Sequence, residues 1–221
     1  MDKAIKQATV RFSEAYFYKP DTKVMVLGIG SIGSWTSLLL ARQEAKLYMF
    51  DNDRVDEVNL AGQLYTKVEI GNSKVEALKD IITSFCDAPF IETYEEKYTE
   101  KSFTMPIVFS CFDNMTARKI AFDKWKVEED RELFIDGRLG LSYGTVLTVI
   151  KGREQEYENT LFKDEDVEDA PCSMKSTTHS ATLIASLMCA SFANYQGIQK
   201  EFPCELPFRM DFDLFTMGVT I

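Results

Sequence analysis

The sequence predicts an α/β fold: a mostly parallel sheet with helices on both faces, extended by antiparallel strands toward the C-terminal side. Three observations carry that expectation. Residues 24–27 (VMVL) are a short, wholly apolar run, as a fully buried strand requires, and they lead into Gly28, Gly30 and Gly33, spaced G-x-G-x-x-G. Short apolar runs and segments of helical spacing then alternate as far as residue 140. Past residue 140 the alternation stops, and 143–150 (YGTVLTVI) reads as a long strand joined by turns, so the sheet turns antiparallel there.

Residues 1–22 read as an amphipathic helix closed by a turn at Lys19-Pro20-Asp21. The strand at 24–27 then opens a Rossmann-like unit. Its first glycine allows a tight turn, its second lets a phosphate approach the backbone, and its third lets the next helix pack close to the strand. That helix starts near Ser31 and carries Trp35, Leu38, Leu39 and Leu40. Its leading N–H groups lack internal partners and lie at the positive end of the helix dipole, so phosphate is favoured there. A second apolar strand, 47–50, ends in Asp51. That position is about twenty residues past the glycines, where a carboxylate can take a ribose hydroxyl. Taken alone, the unit announces a nucleotide, most commonly NAD, NADP or FAD.

Residues 51–70 form a polar connection, long enough inside a compact domain to suggest function. Gly71-Asn72-Ser73 is a turn with an N-cap. The helix at 74–85 follows, with Val75, Leu78, Ile81 and Ile82 on its apolar side. A short strand at 90–94 comes next, then a buried strand at 107–110 that ends at Cys111-Phe112-Asp113-Asn114. A helix at 115–125 and a strand at 133–135 complete the alternation. Asp51 and Asp113 both end strands that lead into helices, which puts them on one edge of a parallel sheet, the edge where ligands bind. Residues 164–169 (DEDVED) read as an acidic, solvated loop. Pro171-Cys172-Ser173 follows. The helix at 182–193 is apolar nearly all round, and so buried or at an interface. A final strand is expected at 208–215, and no repeat, low-complexity segment or linker divides the chain.

A chain of 221 residues is long enough for one large core. A net charge of −10 argues against non-specific nucleic-acid binding and against an anionic membrane surface. The opening MDKAIKQATVRF lacks the apolar region of a signal peptide, and no apolar run reaches transmembrane length. The five cysteines, Cys86, Cys111, Cys172, Cys189 and Cys204, are odd in number and include no C-x-x-C pair. No disulfide framework is expected, and the natural compartment is cytoplasmic.

The residues after Asp51 narrow the nucleotide. They read D-x-V-x-x-x-N-L-x-x-Q from Asp53 to Gln63, then G-x-x-K-V-E from Gly71 to Glu76, then Cys111-Phe112-Asp113-Asn114 with Arg118 beyond. This set resembles the ThiF/MoeB family, the adenylyltransferases related to ubiquitin-activating enzymes. The resemblance is strongest over 23–118. It continues more weakly through IDGRLG (135–140), APC (170–172) and the helix beyond; the DGR and APC pieces are similar to a phage- and plasmid-encoded branch.

The resemblance implies a single adenylation domain: an N-terminal helix (1–22), a nucleotide-binding core (23–140) and an antiparallel, acceptor-side extension (141–221). It implies ATP-dependent adenylation of the C-terminal carboxylate of a small ubiquitin-like protein or peptide, with release of pyrophosphate. Asp51 would hold the ribose, and Asn59 and Lys74 the phosphates, with Gln63 in the same nucleotide-binding set. Asp113 would coordinate Mg2+ near the α-phosphate, which suits an ion that takes one or two carboxylates plus phosphate oxygens. The family is dimeric, so a homodimer is expected. Many members hold zinc with two C-x-x-C pairs; this chain cannot build that site, so no zinc is expected.

Two departures stand out. Where the family motif R-Y-x-R-Q sends an arginine into the partner's ATP site, this chain has Glu14. Where N-L-x-R-Q supplies a phosphate-stabilising arginine, it has Gly62. Arg54, Arg118 and Arg138 are the candidate replacements. Arg138, just past a predicted parallel strand at the ligand edge, is favoured and is expected to act on the transition state.

Relatives that pass the acyl group onward use a cysteine in a late mobile loop, and here Cys172 is the candidate. A following helix start near Thr177 or Thr178, with Lys175 and His179, would lower its pKa, whereas the acidic loop would raise it. Cys172 as a small buried residue beside Pro171 stands as an equal alternative. Lys74 as a plain surface lysine, Asp113-Asn114 as a helix cap, and His179 as a helix-start residue are the non-functional readings. Two other readings of the whole chain stay open: a catalytically inactive ThiF-like scaffold or partner subunit, and an NAD-dependent dehydrogenase, which fits the glycines only.

Overall fold

Strand β1 (Lys23–Leu27) is buried at every residue after its first, because helices cover the sheet on both faces. The computed structural model describes residues 13–87, 89–140, 142–166 and 177–221. Cys172, Lys175 and most of the N-terminal helix expected at 1–22 therefore lie outside the described residues. Residues 13–22 form turns, bends and irregular backbone rather than a helix.

The remaining strands are β2 (Lys46–Phe50), β3 (Ile91–Tyr94), β4 (Ile107–Ser110), β5 (Leu133–Gly140), β6 (Tyr143–Ile150), β7 (Arg209–Asp213) and β8 (Gly218–Thr220). They form one sheet in the order β3-β2-β1-β4-β5-β6-β7-β8. Pairing is parallel from β3 through β5 and antiparallel from β5 through β8. Strand order reverses between β1 and β4, so the crevice beyond their carboxyl ends is the expected ligand site of such a sheet.

Alternate residues of β1 feed two cores. Val24 and Val26 pack with α1 (Ser31–Arg42), α2 (Lys74–Phe85) and the long α5 (Thr178–Ile198), through Ile32, Leu78 and Ile184 among others. Met25 and Leu27 pack on the other face with α3 (Met115–Trp125) and α4 (Glu154–Glu158), through Phe122, Trp125 and Tyr157. This layering is the expected α/β fold with its antiparallel extension.

Several elements depart from expectation in detail. β5 runs eight residues rather than three, because β6 pairs with it along its whole length after β4 has ended at Ser110. The strand expected at 208–215 forms as β7, and a further short strand, β8, follows and pairs with it. The polar connection 51–70 contains two short 3-10 turns, Glu57–Ala61 and Lys67–Glu69, each closed by a capping box, Asp56 with Asn59 and Thr66 with Glu69. The apolar helix extends to both sides of 182–193, and its own chain buries most of it against α1, β5 and β6.

Candidate functional site

The glycine turn joins β1 to α1. Gly28 adopts φ +83°, open to glycine at little cost. A Cβ on Gly33 would stand 1.9 Å from the Gly28 carbonyl oxygen, so α1 packs directly on the turn. At Gly30 a Cβ would meet nothing within 4 Å, which leaves its backbone open to a ligand. Gly30 is also the N-cap of α1, with no side-chain cap bond and no acid in the first turn. The positive end of this helix is thus uncompensated by its own side chains, a setting that favours phosphate.

Asp51 ties the end of β2 to that turn. Its carboxylate accepts the Ile29 N–H at 2.6 Å and the Asp53 N–H at 2.8 Å. Burial pushes the Asp51 carboxyl above its usual range, against the opposing charge of Lys74 and the two N–H bonds. Each carboxylate oxygen keeps a second lone pair for a hydroxyl donor. Lys74, first residue of α2, is largely buried, and its Nζ lies 2.8 Å from the exposed Asp53 carboxylate. It is therefore not a plain surface lysine. Tyr65 clamps the two ends of this arrangement by donating to the Ile29 carbonyl at 2.8 Å and the Lys74 carbonyl at 3.3 Å.

Asn59 lies in the first 3-10 turn and Gln63 just past it. Asn59 Oδ1 accepts the Asp56 N–H at 2.8 Å, so its amide nitrogen is the end available to a ligand. The Gly62 carbonyl accepts from the Trp35 indole at 3.2 Å, and the Leu64 N–H donates to Ser34 Oγ at 3.1 Å, which holds this stretch on α1. Gln63 Oε1 and Ser73 Oγ are buried with no hydrogen-bond partner among the described residues. Open backbone at Gly30 suits the approach of a polar, phosphate-bearing ligand.

The second half of the crevice begins where β4 ends. The backbone of Cys111 and Phe112 lies against Gly28, where a Cβ would stand 3.0 Å from the Cys111 carbonyl oxygen. Asp113 is exposed, one residue farther on, with Asn114 Nδ2 at 3.1 Å from its Oδ1. Asn114 itself caps α3 by accepting the Ala117 N–H at 2.8 Å. Capping thus falls to Asn114 and leaves Asp113 available. Among the described residues no group of three or more His, Cys, Asp or Glu could hold a metal alone. A lone Asp113 fits a magnesium ion that arrives on nucleotide phosphates.

The candidate arginines have other partners. Arg118 and Arg138 both bind the fully buried Asp136. Arg138 Nε lies 2.7 Å from Asp136 Oδ2. Its other nitrogens reach the Thr160 carbonyl at 2.9 Å and Thr160 Oγ1 at 3.0 Å. Arg54 is the exposed one, bonded to the Gly71 carbonyl at 3.0 Å and to Glu95 at 2.8 Å on the β3 side. Glu14 lies exposed in the N-terminal turns. Sequence reasoning missed Asp136, Tyr157 and Tyr65. The one signal for Asp136 was an acid inside the run IDGR, and the two tyrosines gave none.

Burial pushes the Cys111 thiol up to about 12 and raises Cys86 and Cys189 as well, which makes all three poor nucleophiles. His179 sits exposed at the start of α5, with Nε2 3.1 Å from Thr177 Oγ1. No helix among the described residues is long and apolar enough to cross a membrane.

The sequence profile of the ThiF family matches residues 20–216. Ubiquitin-like modifier-activating enzyme 5 of Drosophila mojavensis is 30% identical over 116 residues, 44% of this chain and 29% of that protein. Its counterpart in Caenorhabditis briggsae is 31% identical over 115 residues, 44% of this chain and 27% of that protein. The matched segment is thus less than a third of the length of these curated relatives. Among solved structures, PaaA has a TM-score of 0.73 at 17% identity, over 99% of this chain and 71% of that one. Escherichia coli MccB with ATP scores 0.69 at 16% identity, over 90% and 62%. The E. coli tRNA N6-threonylcarbamoyladenosine dehydratase TcdA scores 0.70 at 14% identity, over 90% and 98%. At these identities the structural likeness speaks for the fold.

Proposed function

This chain belongs to the ThiF family, and from that premise we propose that it adenylates the C-terminal carboxylate of a small ubiquitin-like protein or peptide with Mg-ATP, releasing pyrophosphate. The observation that carries the reading is the joining of Asp51, Lys74 and the open Gly30 backbone around one uncapped helix start. Asp113 is held on the neighbouring loop.

The reaction forms a bond between an acceptor carboxylate oxygen and the α-phosphorus, and breaks the bond from that phosphorus to the β-phosphate bridge. Catalysis of this kind rests on positioning and on charge. The Gly28–Gly33 turn and the start of α1 receive the phosphates, and Asp51 takes the ribose. Asn59 and Gln63 add polar contacts from the 3-10 turn. Lys74 exchanges Asp53 for a phosphate oxygen. Asp113 would hold a magnesium ion, which would supply positive charge to screen the phosphates. The acidic chain favours a protein or peptide acceptor over a polynucleotide. Arg138, engaged by Asp136 and Thr160, acts by holding the loops around the site rather than by meeting the reacting phosphate. Cys172, in the stretch outside the described residues, is the candidate acceptor of an onward acyl transfer. A homodimer would use Leu183, Leu187 and Ala190 of α5, of which Ala190 lines a groove of about 270 Å3 together with Phe17 and Leu39.

The test is exchange of labelled pyrophosphate into ATP, with the ubiquitin-like or peptide product of a neighbouring gene as acceptor. Acceptor-dependent exchange that Lys74→Ala abolishes is expected. ATP binding without exchange, across all such acceptors, would instead favour the second reading, a catalytically inactive scaffold or partner subunit. Gly62 and Glu14 in place of arginines, together with the pairing of Arg118 and Arg138 to Asp136, support that alternative.

A further inference from the structure

Building on the adenylation reading, we propose that Asp136 is a positioning residue that sets the loop carrying Asp113, by holding Arg118 against the Phe112 carbonyl. Asp136 lies in β5, opposite Ser110 at the end of β4, and is wholly buried. One of its oxygens takes Arg118 Nη1. The other takes Arg138 Nε at 2.7 Å and the Tyr157 hydroxyl at 3.0 Å. Arg118 is a fork. Nη1 binds Asp136 and the Gly137 carbonyl at 3.1 Å, while Nη2 reaches back past the start of its own helix to the carbonyl of Phe112. The residue next to Asp113 is thereby fixed to the sheet.

A second arm returns to the same loop from the far side. Arg138 binds both oxygens of Thr160, at 2.9 Å to its carbonyl and 3.0 Å to its hydroxyl. Four residues on, the Asp164 carboxylate accepts the N–H groups of Met115 at 2.5 Å and Thr116 at 3.1 Å, and the Thr116 hydroxyl at 2.6 Å. The loop is thus held at Phe112 and again at Met115 and Thr116, on either side of the exposed Asp113. A cluster that served packing alone would have little need of charge, since buried ion pairs contribute little over well-packed apolar groups. What a rigid, forked guanidinium adds is direction.

The experiment uses the full chain with a non-hydrolysable ATP analogue and Mn2+ in place of Mg2+, reading free Mn2+ by electron paramagnetic resonance. Asp113→Asn tests the underlying reading and should lose the protein's share of Mn2+ binding. Arg118→Lys, which keeps the charge and loses the fork, and Asp136→Asn should each weaken Mn2+ about tenfold, as loss of a partner behind a metal ligand does. Their affinity for the analogue without metal should stay near wild type. Arg118→Lys added to Asp113→Asn should cost nothing more. Folded Arg118→Lys and Asp136→Asn proteins with wild-type Mn2+ affinity, beside an Asp113→Asn that has lost it, would overturn the proposal and leave the adenylation reading standing. An Asp113→Asn with wild-type Mn2+ affinity would overturn the metal role of Asp113 and the proposal with it. If Asp136→Asn fails to fold, Tyr157→Phe carries the same comparison with one hydroxyl deleted.

Discussion

Two ion pairs at the same sheet edge are built for opposite purposes. Lys74 and Asp53 meet at 2.8 Å, with the lysine side chain 8% exposed and the aspartate 59% exposed. Arg118 and Asp136 meet with 5% and 0% exposed, and a second arginine closes over them. The first pair keeps one partner in water, so its lysine can exchange that partner for another anion at small cost. The second is dry on both sides, and losing either partner leaves an uncompensated buried charge. The difference separates a cation that can meet a ligand from cations that hold the loops around it. It also explains why a count of arginines near the site misleads: Arg118 and Arg138 lie at the ligand edge, yet both answer to Asp136.

The largest way to break this contrast is to remove the dry partner. Asp136→Ala should lower stability by about 3–5 kcal/mol, read by urea unfolding, because Arg118 and Arg138 remain buried without it. A loss near zero would mean that water reaches the cluster. Next comes Gly33→Ala, whose new Cβ would sit 1.9 Å from the Gly28 carbonyl oxygen. It should cost about 1–3 kcal/mol and weaken ATP binding, because α1 must move off the turn.

The pH dependence of stability sharpens the same contrast. Burial alone would raise the Asp136 carboxyl, but Arg118 and Arg138 outweigh it and hold the group below the usual carboxylate range. A carboxyl depressed in the folded state adds stability above its unfolded value, about pH 4, and that stability is lost as pH falls through the depressed value. Asp136→Asn should remove this part of the acid slope in urea melts between pH 2 and pH 5, a window set about the unfolded carboxylate value. An unchanged slope would contradict the assignment. The smallest effect belongs to the wet pair. Asp53→Asn should change stability by no more than about 1 kcal/mol, and should tighten ATP by up to about fivefold because Lys74 is freed.

The same division governs what could be read from the sequence. The helices at 74–85 and 115–125 and the strands at 107–110 and 143–150 fall where periodicity and caps placed them, since those signals are local. The glycine turn was legible for the same reason. The dry cluster was not. Asp136, Arg118 and the Tyr157–Thr160 turn come from three separate segments, and their meeting is a product of the sheet order rather than of spacing. Arg138 follows the parallel-paired part of β5, but its partner Thr160 lies outside any motif, and the run IDGR that contains Asp136 does not announce the ion pair between them. The extent of β5 was underestimated because β6 supplies the pairing that sustains it beyond β4. The short α4 was missed because one helical turn leaves no periodic signal; what anchors it is the fully buried Tyr157.

The central claim is that this crevice takes ATP through Lys74, and titration calorimetry tests it most directly. Wild-type protein and Lys74→Ala would each be titrated with Mg-ATP and with NADH. The account predicts heat from Mg-ATP and none from NADH. It also predicts a loss of about 10–100-fold in ATP affinity for Lys74→Ala, the worth of one charge-assisted contact. Binding of NADH without ATP, or ATP affinity indifferent to Lys74, would contradict it.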